Sequence, residues 1–310
     1  MQEKNHHSVI ILGSGPAGLS AALYAARAEL KPLVFTGLVL HGQPSLTHAI
    51  ENYPGFPEGI GGEALGNLFQ QQAERFGAVV EYDQVTAVDL SKRPFHLETY
   101  SKSYSADSVI IATGADAKKL NILGEIELTG RGVSYCATCD GWFFKGKDVV
   151  VVGGGDSALE EAIFLTRFAR KVTIIHRRDE LRAGTILANR AKSNHKITFI
   201  WDSIITEIIG DEAVSAVRIK NVRNDEERDF KTDGVFVFIG HKPNSEIFEG
   251  HLEMDERGYV IVDKFMHTNV PGVFAAGEIA DPIFRQVITS AGMGAAAAIQ
   301  AVHFIESLED

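Results

Sequence analysis

Ser8-Val9-Ile10-Ile11-Leu12-Gly13-Ser14-Gly15-Pro16-Ala17-Gly18 is the stretch on which the fold turns. A short apolar run reads as a buried parallel strand. It ends in Gly-x-Gly-x-x-Gly and is followed by an alanine-rich helical segment from Leu19 to about Leu30. Pro32–Phe35 reads as a second strand. Strand, glycine turn, helix and strand in that order form the βαβ unit that holds a dinucleotide. The glycines let the backbone approach a pyrophosphate, and the helix N-terminus faces it. The glycine pattern alone is weak evidence, but here both flanking elements are present. The acid expected at the end of the second strand, for a ribose 2′-hydroxyl, is replaced by Thr36-Gly37.

The arrangement recurs downstream. Asp148–Val152 is an apolar strand that runs into Gly153-Gly154-Gly155-Asp156-Ser157-Ala158, then a helix to about Phe168 and a strand at Val172–Ile175. His176-Arg177-Arg178 follows at once, with Arg182 four residues on. Where an NAD site carries a carboxylate, this one carries guanidinium groups, the requirement of a 2′-phosphate, so the pattern selects NADPH over NADH. The bland alternative is a basic, solvated helix start, and the place of the cluster within a complete motif weighs against it.

Between and after these units the chain reads coarsely. Gly59–Glu63 is a glycine-rich loop before a helix over Ala64–Phe76, whose Leu65, Leu68, Phe69 and Phe76 form a core stripe. Val79–Leu90 alternates like strands, Phe95–Tyr104 like a hairpin, and Ser108–Ala112 is another buried strand. Phe199–Ile209, Ala213–Asn221 and Arg228–Val237 read as a meander completing the second unit, and Gly240–Asn244 as a linker. Tyr259–Val262 and Gly272–Ala275 read as strands, with a long helix from about Gln286 to Ile305. The expected architecture is α/β, with two Rossmann-like dinucleotide-binding domains of the three-layer ββα type. The first domain takes residues 1–116 and 244–310, and the second, 117–243, is inserted into it.

Cys136-Ala137-Thr138-Cys139-Asp140 holds the only two cysteines of 310 residues. Two intervening residues suit a reversible disulfide, and a helix starting there lowers a thiolate pKa. Asp140 is placed to move a proton when the pair is reduced. Half of a zinc site is the bland reading, but such a site wants four ligands and no second cysteine pair exists. An apolar fraction of 45% and a charged fraction of 23% are ordinary for a globular chain, whose length suggests about two domains. A net charge of −11 argues against nucleic acid as a partner. No stretch reads as long and apolar enough to span a bilayer, and Met1–His7 shows no signal peptide. With so few cysteines, a reducing cytoplasm is the expected compartment.

Two dinucleotide sites and one dithiol imply an electron path. NADPH delivers a hydride, a disulfide accepts two electrons, and a flavin bridges the two, which assigns FAD to the first site and NADPH to the second. Cys139 lies only fourteen residues before Gly153, so disulfide and nicotinamide site share a domain. The expectation is a rigid-body rotation between the domains, hinged near Gly114–Lys118 and Gly240–Asn244. A solution scattering curve unchanged by reduction counts against it.

With these residues collected, the chain resembles the low-molecular-weight, bacterial-type thioredoxin reductases over nearly its whole length. The resemblance rests on Gly13–Gly18, Gly42-Gln43, Glu51-Asn52-Tyr53-Pro54-Gly55, Ala112-Thr113-Gly114, Cys136–Asp140, Gly153–Ala158, His176–Arg178 with Arg182, Gly240-His241 with Pro243-Asn244, and Phe274–Gly277 with Arg285-Gln286. It implies a homodimer that reduces thioredoxin, with FAD in the first domain. It places the pyrophosphate against Gly13, Ser14, Gly15, Pro16 and Ala17. Thr36, Gly37, Gly42, Gln43 and Asn52 would contact the flavin nucleotide, with Val85 on the adenine side and Ala112, Thr113 and Gly114 close by. Gly277, Glu278, Arg285, Gln286 and Val287 would hold ribitol and isoalloxazine. For NADPH it implies Gly153, Gly154, Gly155, Asp156, Ser157, Glu160, His176, Arg177, Arg178, Arg182, Ile239 and Gly240. Cys139 is implied as the sulfur facing the flavin, Cys136 as the one attacking thioredoxin, and Asp140 as the proton donor.

Three positions depart from the family pattern: His41, where a glycine is usual, Pro44, where a leucine is usual, and Glu278, where an aspartate is usual. Rival readings are a ferredoxin- or flavodoxin-NADP reductase, which lacks the CxxC, and the flavoprotein of an alkyl hydroperoxide reductase, which carries N-terminal redox domains. A dithiol oxidase or ferredoxin-linked reductase tends to lose the NADPH arginines. A reductase of another small disulfide protein and a non-catalytic FAD/NADPH redox sensor complete the set.

Overall fold

The computed structural model describes residues 5–47 and 49–309; residues 1–4 of the stretch read above for a targeting signal lie outside them. The chain divides into two compact units, residues 1–116 with 242–310, and residues 117–241.

The first unit starts with strand β1 (His6–Leu12), whose Val9–Leu12 are completely or almost completely buried, as a strand covered on both faces must be. Helix α1 (Pro16–Arg27) follows, then β2 (Leu33–Phe35), helix α2 (Gly62–Arg75), β3 (Val79–Glu81), β4 (Val85–Asp89), β5 (Phe95–Thr99) and β6 (Ser103–Ile111). The sheet order is β3-β2-β1-β6-β5-β4, parallel from β3 to β6 and antiparallel through the β4–β5 hairpin. The hairpin expected at Phe95–Tyr104 and the strand expected at Ser108–Ala112 share one continuous β6. Its first half pairs with β5 and its second half with a strand from the far end of the chain. The chain leaves through β7 (Ala115–Ala117).

The second unit takes β8 (Val133–Ser134), α3 (Ala137–Asp140), β9 (Asp148–Val152), α4 (Asp156–Leu165), β10 (Lys171–Ile175), α5 (Thr185–Lys192), β11 (Ile197–Ile200), β12 (Ser203–Gly210), β13 (Val214–Asn221), β14 (Glu227–Lys231) and β15 (Gly234–Val237). A parallel sheet in the order β11-β10-β9-β15-β8 lies between helices and an antiparallel β12-β13-β14 sheet. Side-chain alternation along β9 builds both cores: Val149 and Val151 pack with Ala158, Leu159 and Ala162 of α4, whereas Val150 and Val152 pack with Val217 and Ile219 of β13. The single strands expected at Phe199–Ile209 and Arg228–Val237 are each broken in two. Asp202 takes a left-handed backbone (φ 48°) where the chain steps from the parallel sheet to the antiparallel one. The helix expected to run to Phe168 ends at Leu165.

The chain returns through β16 (His241–Pro243), which pairs with β7, so the two crossings run side by side. Tyr259–Val262 is not a strand; only an isolated bridge joins Val260 to Met254. β17 (Val273–Ala275) adds to β6 in parallel, and α6 (Val287–Glu309) closes the first unit. Val287–Leu308 is long and apolar enough to cross a membrane by length and composition, which corrects the expectation that no stretch is. Its Ala297, Ala298 and Ala301 are fully buried in the cluster that contains Ala21, Ala22 and Ala25 of α1, the packing of a core helix.

Candidate active site

The two sulfurs of Cys136 and Cys139 are joined in a disulfide, with Cα atoms 5.3 Å apart. β8 delivers the chain to Cys136, which caps α3: its Sγ accepts the Cys139 N–H at 3.1 Å. An N–H donor placed on a sulfur in this way favours its thiolate form. The first free N–H of the helix, on Ala137, is taken by Glu161 Oε2 of α4 at 3.1 Å. Ser134 Oγ donates to Asp140 Oδ2 at 2.6 Å and accepts the Cys136 N–H at 3.1 Å, so one hydroxyl ties the Asp140 carboxyl to Cys136. Burial pushes the Asp140 carboxyl above the usual aspartate range, and the Ser134 hydrogen bond only partly holds it down. An acid shifted this way gives and takes a proton closer to neutral pH than an ordinary aspartate does.

A second brace lies on the other side. Tyr135 OH donates to Glu125 Oε1 at 2.9 Å, and the same fully buried carboxylate accepts the backbone N–H groups of Leu120 (2.8 Å) and Asn121 (2.7 Å). Burial and the Glu125 charge hold the Tyr135 phenol well above its ordinary range. Sequence reading missed Glu125, Glu161 and Ser134. Only the buried neighbours of Glu125 mark it off from the surface acids around it.

In the first unit the glycine turn forms an open cradle. Gly13 has φ 112°, and a Cβ there would lie 2.2 Å from Ala112 O, so only glycine fits. No side chain caps α1 and no acid sits in its first turn, which leaves its N-terminus open to an anion. Ser14 Oγ donates to Thr36 O (3.2 Å) and accepts His41 N–H (3.1 Å), drawing the Thr36–Gln43 segment onto the turn. Gly42 comes so close to Gly15 that a Cβ would lie 3.0 Å from its Cα. His41 is buried, with φ 63° and Nε2 2.8 Å from Gln70 Oε1; its side chain fills a notch left by Gly66, where a Cβ would lie 2.4 Å from His41 Cβ.

Gln43 Nε2 donates to Asp116 Oδ1 and Asn52 Nδ2 to Gln286 Oε1 at 3.1 Å, the second bond joining two expected residues far apart in the chain. Thr113 and Asn244 exchange hydrogen bonds (2.8 and 3.1 Å) where Gly114 turns at φ 69°. Val85 is different: its side chain lies in the hydrophobic core and it pairs with Thr99 of β5. Beyond β17, Gly277 lies against Ala17 and Val287 opens α6. The unforeseen Asp281 carboxylate accepts the N–H groups of Ile283, Phe284 and Arg285 and so shapes the loop to Gln286. Removal from water pushes the Glu278 carboxyl up to about 7, with Arg285 pulling it down and Asp281 and Asp116 pushing it further up. No described residue hydrogen-bonds that carboxyl. A glycine cradle and a half-buried acid group with no hydrogen bond from the described residues fit a flavin dinucleotide with ribitol hydroxyls to bind.

The second cradle is built alike. A Cβ on Gly153 would lie 2.5 Å from Phe238 O, and one on Gly154 would lie 2.4 Å from the His176 ring, whereas Gly155 is open except for Arg182 Nη2 at 3.8 Å. The loop after β10 folds back over the glycines: Arg182 and Ala183 N–H donate to Gly154 O (2.8 and 3.2 Å), and Gly184 N–H donates to Asp156 Oδ1 (2.8 Å). Arg177, Arg178 and Arg182 are all exposed, as are Asp156, Ser157 and Glu160 on α4. Asp156 and Glu160 line an open depression with Thr185, Ile186 and Arg190. His176 sits differently: it is buried against Gly154, its Nε2 has no partner, and burial lowers its pKa, with the three arginines adding to the effect. Its ring therefore lies beneath the glycine turn and feels the charge of the arginines. Ile239 packs into the core and Gly240 turns at φ 109° after β15.

Residues 7–294 match the family described as pyridine nucleotide-disulphide oxidoreductase. The chain belongs to that family. It is 51% identical to the thioredoxin reductase of Mycolicibacterium smegmatis over 96% of each chain, and 45% identical to that of Coxiella burnetii over 99% of each. The crystal structure of thioredoxin reductase from Streptococcus pyogenes superposes with a TM-score of 0.94 at 43% identity, covering 98% of this chain and 100% of that one. The Cys136–Cys139 disulfide fits the redox-active centre of these reductases.

Proposed function

We propose that the protein is an NADPH-dependent thioredoxin-disulfide reductase, a flavoprotein oxidoreductase. The observation that carries this reading is the Cys136–Cys139 disulfide with its half-buried acid Asp140, held in the same unit as a glycine cradle that Arg182 approaches and that the exposed Arg177 and Arg178 follow in the chain. The close relatives all carry the name thioredoxin reductase. Residues 1–116 and 242–310 then form the FAD-binding domain and 117–241 the NADPH-binding domain. Bound in the first unit, FAD supplies the two-electron link between a nicotinamide hydride and a disulfide.

The chain's own steps concern sulfur and protons. In the reduced dithiol, Cys136 as thiolate attacks the disulfide of thioredoxin, forming a mixed disulfide and releasing one thioredoxin thiolate. Cys139 as thiolate then attacks Cys136 Sγ, restoring the Cys136–Cys139 disulfide and releasing the second. Two electrons pass to thioredoxin. Asp140, tied to Ser134 beside Cys136, takes up and returns a proton. Arg177, Arg178 and Arg182 hold the 2′-phosphate of NADPH by charge-assisted contacts. A homodimer and a cytoplasmic setting belong to the same reading, supported by the likeness to the relatives above.

The test is a coupled assay with purified protein, NADPH, thioredoxin and a disulfide dye. Cys136→Ser abolishes thioredoxin turnover and leaves reduction of the flavin by NADPH intact. Flavin reduction without thioredoxin turnover in the native enzyme, or full turnover in Cys136→Ser, overturns the reading.

A further inference from the structure

The loop that carries Arg177 and Arg178 also carries Asp179, an anion beside the two guanidiniums assigned to a phosphate. Left to itself, that carboxylate competes for both arginines and repels a phosphate dianion. In the structure it is turned away. Arg223, from the turn between β13 and β14, pairs through Nη2 with Asp179 Oδ2 and through Nε with Asp202 Oδ1 at 2.9 Å. The turn is shaped to present it: Asn221 Oδ1 accepts the N–H groups of Arg223 (2.9 Å) and Asn224 (3.3 Å).

Asp202 completes the bracket through its backbone. Its N–H donates to Arg178 O at 3.3 Å and its carbonyl accepts Val222 N–H at 2.7 Å, while Ser203 N–H donates to His176 O at 3.0 Å. The antiparallel sheet is thereby fastened to the start of the arginine loop at both ends. The pair Arg223–Asp179 is exposed on both sides, 61% and 63%, and exposed ion pairs add little to folding stability. Its effect falls instead on the charge and direction of the loop. Asp179 is held well below the ordinary aspartate range, chiefly by its hydrogen bond to Arg223.

We propose that Arg223 is a positioning residue for nucleotide selectivity: it holds Asp179 off Arg177 and Arg178 and leaves both guanidiniums to a phosphate on the ribose C2′. The proposal rests on the reading of this loop as the NADPH site. The nucleotide preference of the enzyme is thereby set partly by a turn of the antiparallel sheet.

The experiment measures KM for NADPH and for NADH in the thioredoxin assay with the FAD-loaded full chain. Arg223→Ala raises KM for NADPH about tenfold, the effect of weakening one or two charge-assisted contacts, and leaves KM for NADH within about twofold. Asp179→Asn alone keeps KM for NADPH at the native value. In the double variant Arg223→Ala with Asp179→Asn, KM for NADPH returns close to native, because the competing charge is gone. Arg223→Lys restores part of the selectivity. The proposal is overturned if Arg223→Ala raises both KM values together, if it leaves KM for NADPH unchanged, or if the double variant is as impaired as Arg223→Ala. Arg177→Ala with Arg178→Ala serves as the control. If that pair leaves KM for NADPH unchanged, the site assignment fails and the bracket with it. If it raises KM for NADPH and Arg223→Ala does not, only the bracket fails.

Discussion

Glu278 carries a titration that its aspartate counterpart in the family pattern need not share. Its carboxyl is pushed from 4.5 up to about 7 by removal from water, so the fold prefers the protonated form. The native state therefore binds the proton more tightly than the unfolded chain does, and stability is greatest below pH 4.5 and falls as pH rises towards 7. The shift corresponds to ~3 kcal/mol across that window. Thermal unfolding of flavin-free protein at pH 5 and pH 8 measures it: Glu278→Gln removes most of the loss seen in the native chain. An equal loss in both proteins places its origin elsewhere. The position of Glu278 was legible in the sequence as a departure from pattern, but its burial was not. His41 was legible in the same way, whereas its partner Gly66 reads in sequence only as a weak point in a helix. Asp179 and Arg223, 44 residues apart and both in charged stretches, read separately as solvated surface.

At the scale of elements, the two βαβ units were readable because glycine at forced backbone positions leaves a pattern that no other residue can imitate. β6 was not readable as one strand, since its burial is nearly continuous and nothing local shows that its two halves have different neighbours. The α1–α6 contact was also hidden. Gly294 lets α6 approach the first turn of α1, and a Cβ there would lie 2.0 Å from Ala17 O, a backbone atom that cannot move aside cheaply. Gly292, on the same helix, faces open space. The same substitution therefore has opposite signs at the two positions. Gly294→Ala destabilises by ~1–3 kcal/mol through overpacking. Gly292→Ala stabilises by ~0.5–1 kcal/mol through helix propensity and chain entropy. Urea unfolding midpoints of the two variants decide the matter, and a matching shift in both contradicts the close approach.

For the whole molecule, both hydrophobic clusters of the second unit are built from its own residues, and its chain enters and leaves through the paired strands β7 and β16. Residues 117–241 expressed alone are expected to fold cooperatively, form the Cys136–Cys139 disulfide and bind NADPH. Calorimetry on the excised piece checks this, and a molten, non-cooperative product refutes it. The first unit has no such independence in time. β6 is finished at Ile111, yet the strand that completes its outer half begins at Val273, and the helix that covers α1 comes later still. At roughly 5–20 residues per second of synthesis, an intervening ~160 residues take on the order of ten to thirty seconds. During that interval the nascent chain carries an open strand edge and a bare alanine-rich helix face while the inserted unit folds beside the ribosome. The inserted domain is thus the first to mature, and the first unit is completed only when the last forty or so residues emerge.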